Sequence, residues 1–498
     1  MRIPVPFLGG PISAILLFLA FAPNGNPVLG WFALVPLFHS LQRHRENARM
    51  RFAHGFFFGL ILAATSLSWL LDVFTEDFPP SFSPELGGIL HAFTCWTGIS
   101  LYFGVFALAA GPLLRSPRVF TPLVTLPILW TGLEILRGPL LPIPTAWVTN
   151  WLTLGYTLSP QAAEAQPAAV LGVYGLSLAM AASSTAFSLV LGERSLWRQL
   201  LLGLLGCALP LACHLYGRLV LPEQGPEGTV EVAVAAQERT ELKNLIDLTL
   251  RMENQRPDLI VWPSSPVVSI DRTADEASGE PHVSPGLFRD FLQRGQSVFI
   301  VGARMNHTED GLPDEQPRHP RPGDRCVAVV GAEGDVIGAL CSETGGASRG
   351  SHRHPTQPFD CPRGRVGLGL GFDFDVPSKA RILSSRGAEL LVSVTEGGAL
   401  WGSGAERRTA MQRFRALENR RWLVYSSGTH AFIADPFGRP AFHLRDVEGI
   451  GGHGVESLQE HSLYTRYGWW IEPVCLSGAG WILLRALVGR LRRPRRTR

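Results

Sequence analysis

Few side chains in the second half of this chain could do covalent chemistry, and they do not form a recognisable catalytic set. Residues 217–467 hold three cysteines, Cys326, Cys341 and Cys361. A cysteine thiolate is a nucleophile that can take up an acyl group. Ser264 and Ser265 follow Trp262 in "VWPSSP", without the Gly-x-Ser-x-Gly elbow that would activate a serine. His352 and His354 in "SHRHP" could hold a metal, although their polar loop makes solvated histidines the simpler reading. Asp373 and Asp375 stand two apart in "RVGLGLGFDFDVP", a run that reads as a strand, and would share one face. They could bind a cation, or cap the helix that starts near Pro377. Arg415 and Glu418 in "RFRALENRR" are three apart on a helix and can pair. The strand from Arg365 ends at Gly371, which has no side chain to offer.

The cysteines have a structural reading as well. "CVAVVGAEGDVIGALC" reads as a hairpin with Glu333–Gly334 as a two-residue loop, which sets Cys326 opposite Cys341. Facing Cα atoms in such a pair lie roughly 4.5–5.5 Å apart, within reach of a disulfide. Cys361 precedes the Gly371 strand and reads as a loop or edge cysteine.

The elements that must position these groups divide the chain in two. At 498 residues it is too long for one core. Only 17% of residues are charged, and mean hydropathy is positive. The net charge of +3 gives no case for nucleic acid. Apolar runs cover Pro6–Ala22, Val28–Leu41, Phe56–Phe74, Leu86–Leu108, Phe120–Leu136, Pro167–Leu191, Leu200–Tyr216 and Trp469–Val488. A bilayer core needs about 20 helical residues, so these eight runs are expected to span a membrane. Alternate loops carry arginine, as in "QRHRENARMR", "RSPR", "GERSLWRQ" and the tail "GRLRRPRRTR". The positive-inside rule puts those loops and both termini in the cytoplasm. The expected domains are therefore 1–216 in the membrane, 217–467 outside the cytoplasm, and 468–498 as a last span with a basic tail.

Residues 217–467 alternate β-rich runs with helix-like segments, the grammar of a layered α/β domain. Strands are expected in "TVEVAVAAQ", "LIVWPSSP", "SVFIVGARM", "CVAVV", "VIGALC", "VGLGLGFDF", "ELLVSVTEG", "WLVYSSG" and "HAFIADP". Helices are expected at Glu238–Gln255, Pro285–Arg294, Pro377–Arg386 and Ala405–Arg421. The proline-rich "NHTEDGLPDEQPRHPRPGD" reads as a loop.

In this order, "LAFAPNGNPVLGWFALVPL", "GLEILRG", "LGVYGLSL", "LIVWP", "GRVGLGLGFDFDVP", "RFRALENRRWLVYSSGTHAFIADPFGRP" and "SLYTRYG" carry a resemblance. The chain resembles the apolipoprotein N-acyltransferases, membrane enzymes of the nitrilase (carbon–nitrogen hydrolase) superfamily. The resemblance implies a multi-span helical membrane domain with an αββα sandwich outside it, in the bacterial inner membrane with a periplasmic sandwich. It also implies a Glu–Lys–Cys triad that moves an acyl chain from phospholipid to a lipoprotein amine.

That triad is missing where the resemblance places it. Ser264 stands at the Glu position after Trp-Pro. No lysine occurs between Lys243 and Lys379, and the Lys position falls near Ser342. Gly371 stands at the Cys position, with Phe372 and Asp373 where the family has Tyr and Glu. Loss of a nucleophile alone removes on the order of 10⁶ in turnover from triad enzymes. The expectation is a catalytically silent family member that binds lipid, lipoprotein or a partner enzyme. Trp262, Phe372, Asp373, Trp401, Arg415 and Glu418 are its candidate cleft or lipid contacts. The alternatives are an acyltransferase with a relocated nucleophile such as Cys341, and a lipid carrier without acyl chemistry. Neither a metal nor a cofactor is expected.

Overall fold

The computed structural model describes residues 8–23, 25–72, 83–116, 120–137, 150–237, 242–252, 256–264, 268–271, 282–284, 288, 291–292, 297–305, 325–342, 357–395, 403–445 and 447–491. Trp401, His352, His354 and the proline-rich loop lie outside these residues. The chain divides into two compact units. The first holds Met1–Leu221, Gly402–Ala410 and Tyr467–Arg498, and the second Pro222–Trp401 and Met411–Arg466.

The first unit is helical. Its helices are Gly9–Ala20, Pro27–Phe32, Val35–Arg43, Ala48–Ser66, Pro84–Leu114, Phe120–Arg137, Ala168–Val190, Leu196–Val220 and Ile471–Leu491. Among the described residues, three are long and apolar enough to cross a membrane: Glu85–Leu114, Ala168–Val190 and Leu196–Val220. The run Val28–Leu41 is two short helices rather than one, because Ala33 and Leu34 form a turn before Pro36.

Close backbone approach fixes the helix pairs. A Cβ on Gly55 would stand 2.2 Å from the Phe103 carbonyl, and one on Gly132 would stand 2.3 Å from that of Cys475. The segment Asn150–Thr157 is buried without being α-helical. Its amides need side-chain acceptors: Leu154 donates to Glu134 at 2.8 Å and Gly155 to Ser177 at 2.9 Å. The arginine-bearing loops meet at one end of this unit. Arg115 bonds the Arg45 carbonyl and pairs with Glu46, both at 3.1 Å, and Gln42 reaches Ser188.

The second unit contains two sheets. Strands β1 (Val230–Ala236), β2 (Leu259–Val261), β3 (Val268–Asp271), β4 (His282–Ser284), β5 (Val298–Met305), β6 (Arg325–Val330), β7 (Val336–Ser342) and β14 (Gly449–Val455) form one. Strands β8 (Phe359–Cys361), β9 (Gly364–Leu370), β10 (Leu390–Val394), β11 (Trp422–Ser426), β12 (His430–Ala434) and β13 (Pro440–Arg445) form the other, ordered 13-12-11-10-9-8.

Strict alternation sorts each strand's side chains. Val232, Val234, Val366, Leu368, Val392, Val424 and Ile433 meet between the sheets. Ala233, Ala235, Ile260 and Phe299 face outward with Leu245 and Ile246 of helix Leu242–Leu250. Leu391, Leu423 and Phe432 face Leu383 of helix Pro377–Ser385 and Ala416 of helix Ser403–Asn419. The layers are thus helix, sheet, sheet, helix.

Two local expectations change. The β6–β7 hairpin pairs Cys326 with Cys341, but its register shifts at Val329/Val330. The turn runs from Gly331 to Asp335, closed by the Gly331 amide on the Asp335 carbonyl, with Gly334 at φ +86°. Asp373 and Asp375 do not share a strand face either. Strand β9 ends at Leu370, and Asp373–Asp375 forms a 3-10 turn.

Candidate functional site

The second unit gathers its strand ends at one place. Strands β2, β9, β10 and β11 run into residues joined by backbone hydrogen bonds. Gly371 donates to the Val394 carbonyl at 2.9 Å, and Ser264 to that of Thr395 at 3.2 Å. Thr395 donates to Ser426 at 3.0 Å, and the Ser426 hydroxyl to Ala235 at 2.7 Å. The Ser264 and Ser426 bonds stitch one sheet to the other, and the Gly371 and Thr395 bonds extend the pairing within the second sheet, at the C-terminal edge of the parallel strands, where open α/β sheets place their ligands.

Gly371 marks the turn out of β9. Its φ is +60°, and a Cβ built there meets nothing within 4 Å. Glycine suits the left-handed backbone, and the space beside it is large enough for a side chain. Ser264 is 2% exposed, and its hydroxyl finds no hydrogen-bond partner among the described residues. A serine hydroxyl is no base near neutral pH. The backbone of Ser342 ends β7 opposite Arg325.

The neighbouring candidates serve the architecture. Asp373 accepts the Leu370 amide at 3.1 Å and lies 3.5 Å from the Lys379 ammonium. It thereby fastens the turn around Gly371. Asp375 accepts from Gln412 at 2.8 Å, which ties the turn to helix Ser403–Asn419. Neither caps Pro377–Ser385, whose N-cap residue is Val376. Phe372 is half-buried at the turn.

Trp262 is fully buried, donates to Thr249 at 3.1 Å and packs against Phe288 and Phe299. Its place is the core on the outer face of the first sheet, not a cleft. Arg415 and Glu418 pair at 3.2 Å, both at 0% exposure.

Of the cysteines in this unit, Cys326 is buried and disulfide-bonded. Cys361 is a free thiol, pushed up to about 11 by burial and by Asp360. It pairs with Gly364 at the start of β9, the strand end opposite Gly371. A protonated thiol at that edge cannot stand in for a nucleophile at Gly371.

The model of the family "Apolipoprotein N-acyltransferase N-terminal domain" matches residues 13–186. The apolipoprotein N-acyltransferase of Geobacter metallireducens is 26% identical across 95% of this chain and 94% of its own length. That of Gloeobacter violaceus is 26% identical across 99% and 96%. The chain is similar to apolipoprotein N-acyltransferases over nearly its whole length. An amidase of the nitrilase superfamily from Nesterenkonia covers 49% of this chain and 95% of its own, at 15% identity and a TM-score of 0.35.

Sequence reasoning singled out Arg415 but not Arg407, Arg408 or Arg421, and each of the four is at most 3% exposed. The one available signal was their density beside apolar residues in "ERRTAMQRFRALENRRW".

Proposed function

We propose that this chain is a catalytically silent apolipoprotein N-acyltransferase homologue that binds membrane phospholipid or lipoprotein without transferring acyl chains. The turn at Gly371 carries the reading: the backbone and the space for a nucleophile are both present, and the nucleophile is not. A thiol must accept the acyl chain, a carboxylate must take its proton, and an ammonium must steady the oxyanion. Gly371, Ser264 and Ser342 supply none of these.

The same reading covers location. Eight spans, both termini in the cytoplasm, a bacterial inner-membrane location and residues 217–467 in the periplasm follow from the apolar runs and loop charges. The meeting of Arg45 and Arg115 at one end of the helical unit supports that orientation. A bridge between Cys326 and Cys341 fits an oxidising compartment.

Complementation tests the reading. Expressed in a bacterium depleted of its own N-acyltransferase, this chain is expected not to restore growth or triacylated lipoprotein. Restoration of both would refute it.

A further inference from the structure

Arg407 is buried differently from Arg421 and Arg51. Arg421 places its guanidinium on the carbonyls of Ala388, Gln459 and Glu460. Arg51 likewise reaches the carbonyls of His44, Arg45 and Ala107. Arg407, 3% exposed, makes one bond, from Nε to the Ala22 carbonyl at 2.9 Å. Its Nη1 and Nη2 have no hydrogen-bond partner among the described residues.

The surroundings are aromatic. The guanidinium carbon lies 5.1 Å from the centre of the Phe21 ring. One helical turn earlier, Gly404 sits against Trp69, where a Cβ would come within 2.9 Å of the indole. Trp69 in turn stacks on Trp151 at 4.9 Å. Burial alone lowers the Arg407 pKa, to about 10, with no carboxylate contributing. The side chain therefore stays charged at neutral pH. A buried charge without a counter-ion is strongly destabilising, by several kcal/mol. The two free Nη groups form the planar fork that grips an oxyanion through parallel hydrogen bonds.

We propose that Arg407 is the anchor of a phosphate-binding site that takes the headgroup phosphate of a membrane phospholipid. Phosphate is the oxyanion that arrives attached to acyl chains, which suits a fork beside the Phe21 ring in a unit with membrane-length helices. The proposal does not depend on whether acyl transfer occurs.

The test uses the full chain in neutral detergent, read by thermal unfolding and by titration. The probes are short-chain phosphatidylglycerol, a diacylglycerol with the same chains, inorganic phosphate, and a fatty acid of the same length. Wild type is expected to gain thermal stability with the phospholipid and little with the other three. Arg407→Met is expected to weaken phospholipid binding at least about tenfold. The lipid-free variant should melt above lipid-free wild type, because the lone charge is gone. Unchanged phospholipid affinity in the variant would overturn the proposal. So would equal binding of diacylglycerol, fatty acid or free phosphate by wild type. If Arg407→Met does not fold, the four wild-type titrations still decide.

Discussion

Arg415 and Glu418 lie one helical turn apart with 3.2 Å between Nη1 and Oε2, both wholly inside the second unit. The approach is that of an ion pair rather than of an aligned hydrogen bond. Removing one partner takes from the other buried charge its counter-ion in this pair, which costs about 3–5 kcal/mol. Glu418→Ala should therefore lower the unfolding midpoint sharply, whereas Arg415→Met with Glu418→Leu should lower it far less. Equal losses from the single and double variants would show that the pairing itself carries no stability.

Gly371 gives a prediction of opposite character. A Cβ there meets open space, so the only penalty is the left-handed backbone, about 1–2 kcal/mol. Gly371→Cys should fold with that modest loss and should be alkylated readily by a small maleimide. Intact-mass measurement after a brief exposure reads the result. A variant that folds but resists labelling would mean that the space is closed in solution.

A bridge between Cys326 and Cys341, whose backbones face each other across the hairpin, would close a loop of about 15 residues, for which chain entropy gives roughly 3 kcal/mol. Non-reducing peptide mapping should recover the two residues in one linked fragment, and reduction should lower the melting temperature. Free-thiol labelling of Cys341 without reductant would argue against the bridge.

Cys361 predicts a pH profile. Its thiol is held up to about 11 by burial and by Asp360, above the ordinary value of about 8.5. The folded state thus binds this proton more tightly than the unfolded state does. That stabilisation is complete below about pH 8.5 and is lost as pH rises toward the folded value. Iodoacetamide should modify Cys361 slowly at pH 8, with the rate rising only near the upper value. An inflection near pH 8.5 would contradict the burial.

Strands whose apolar residues alternate are legible in the amino-acid sequence. Nine expected strands have counterparts, from β1 and its "VEVAVAA" to β12 and its "HAFIA". Strand β14, "GIGGHGV", is not legible, because its glycines carry no apolar signal. They are there for close approach: a Cβ on Gly452 would stand 2.6 Å from the Val232 carbonyl. Strand β13 is obscured by Pro440 at its start, and β3, β4 and β8 by being three or four residues long. Of the helix expected over Glu238–Gln255, Leu242–Leu250 is helical and residues 251–252 form a turn, and the remainder lies outside the described residues. At the site, the missing triad is readable residue by residue. The stitching of Ser264 to Thr395 across the two sheets is not, because a backbone hydrogen bond between sheets leaves no mark on side-chain types. The burial of Arg407 and Arg421 is hidden for a related reason: the partners that hold them are backbone carbonyls and a ring, which sequence spacing does not reveal.

Acyl capture is the most direct test of the central claim. Purified full-length protein would be incubated with phosphatidylethanolamine carrying a labelled acyl chain, together with a diacylglyceryl-lipopeptide bearing a free amine. Intact-mass analysis would look for acylated protein, and peptide analysis for N-acylated product. The account predicts neither species above a no-protein control. A hydroxylamine-sensitive acyl adduct on any cysteine, or accumulation of N-acylated lipopeptide, would contradict it.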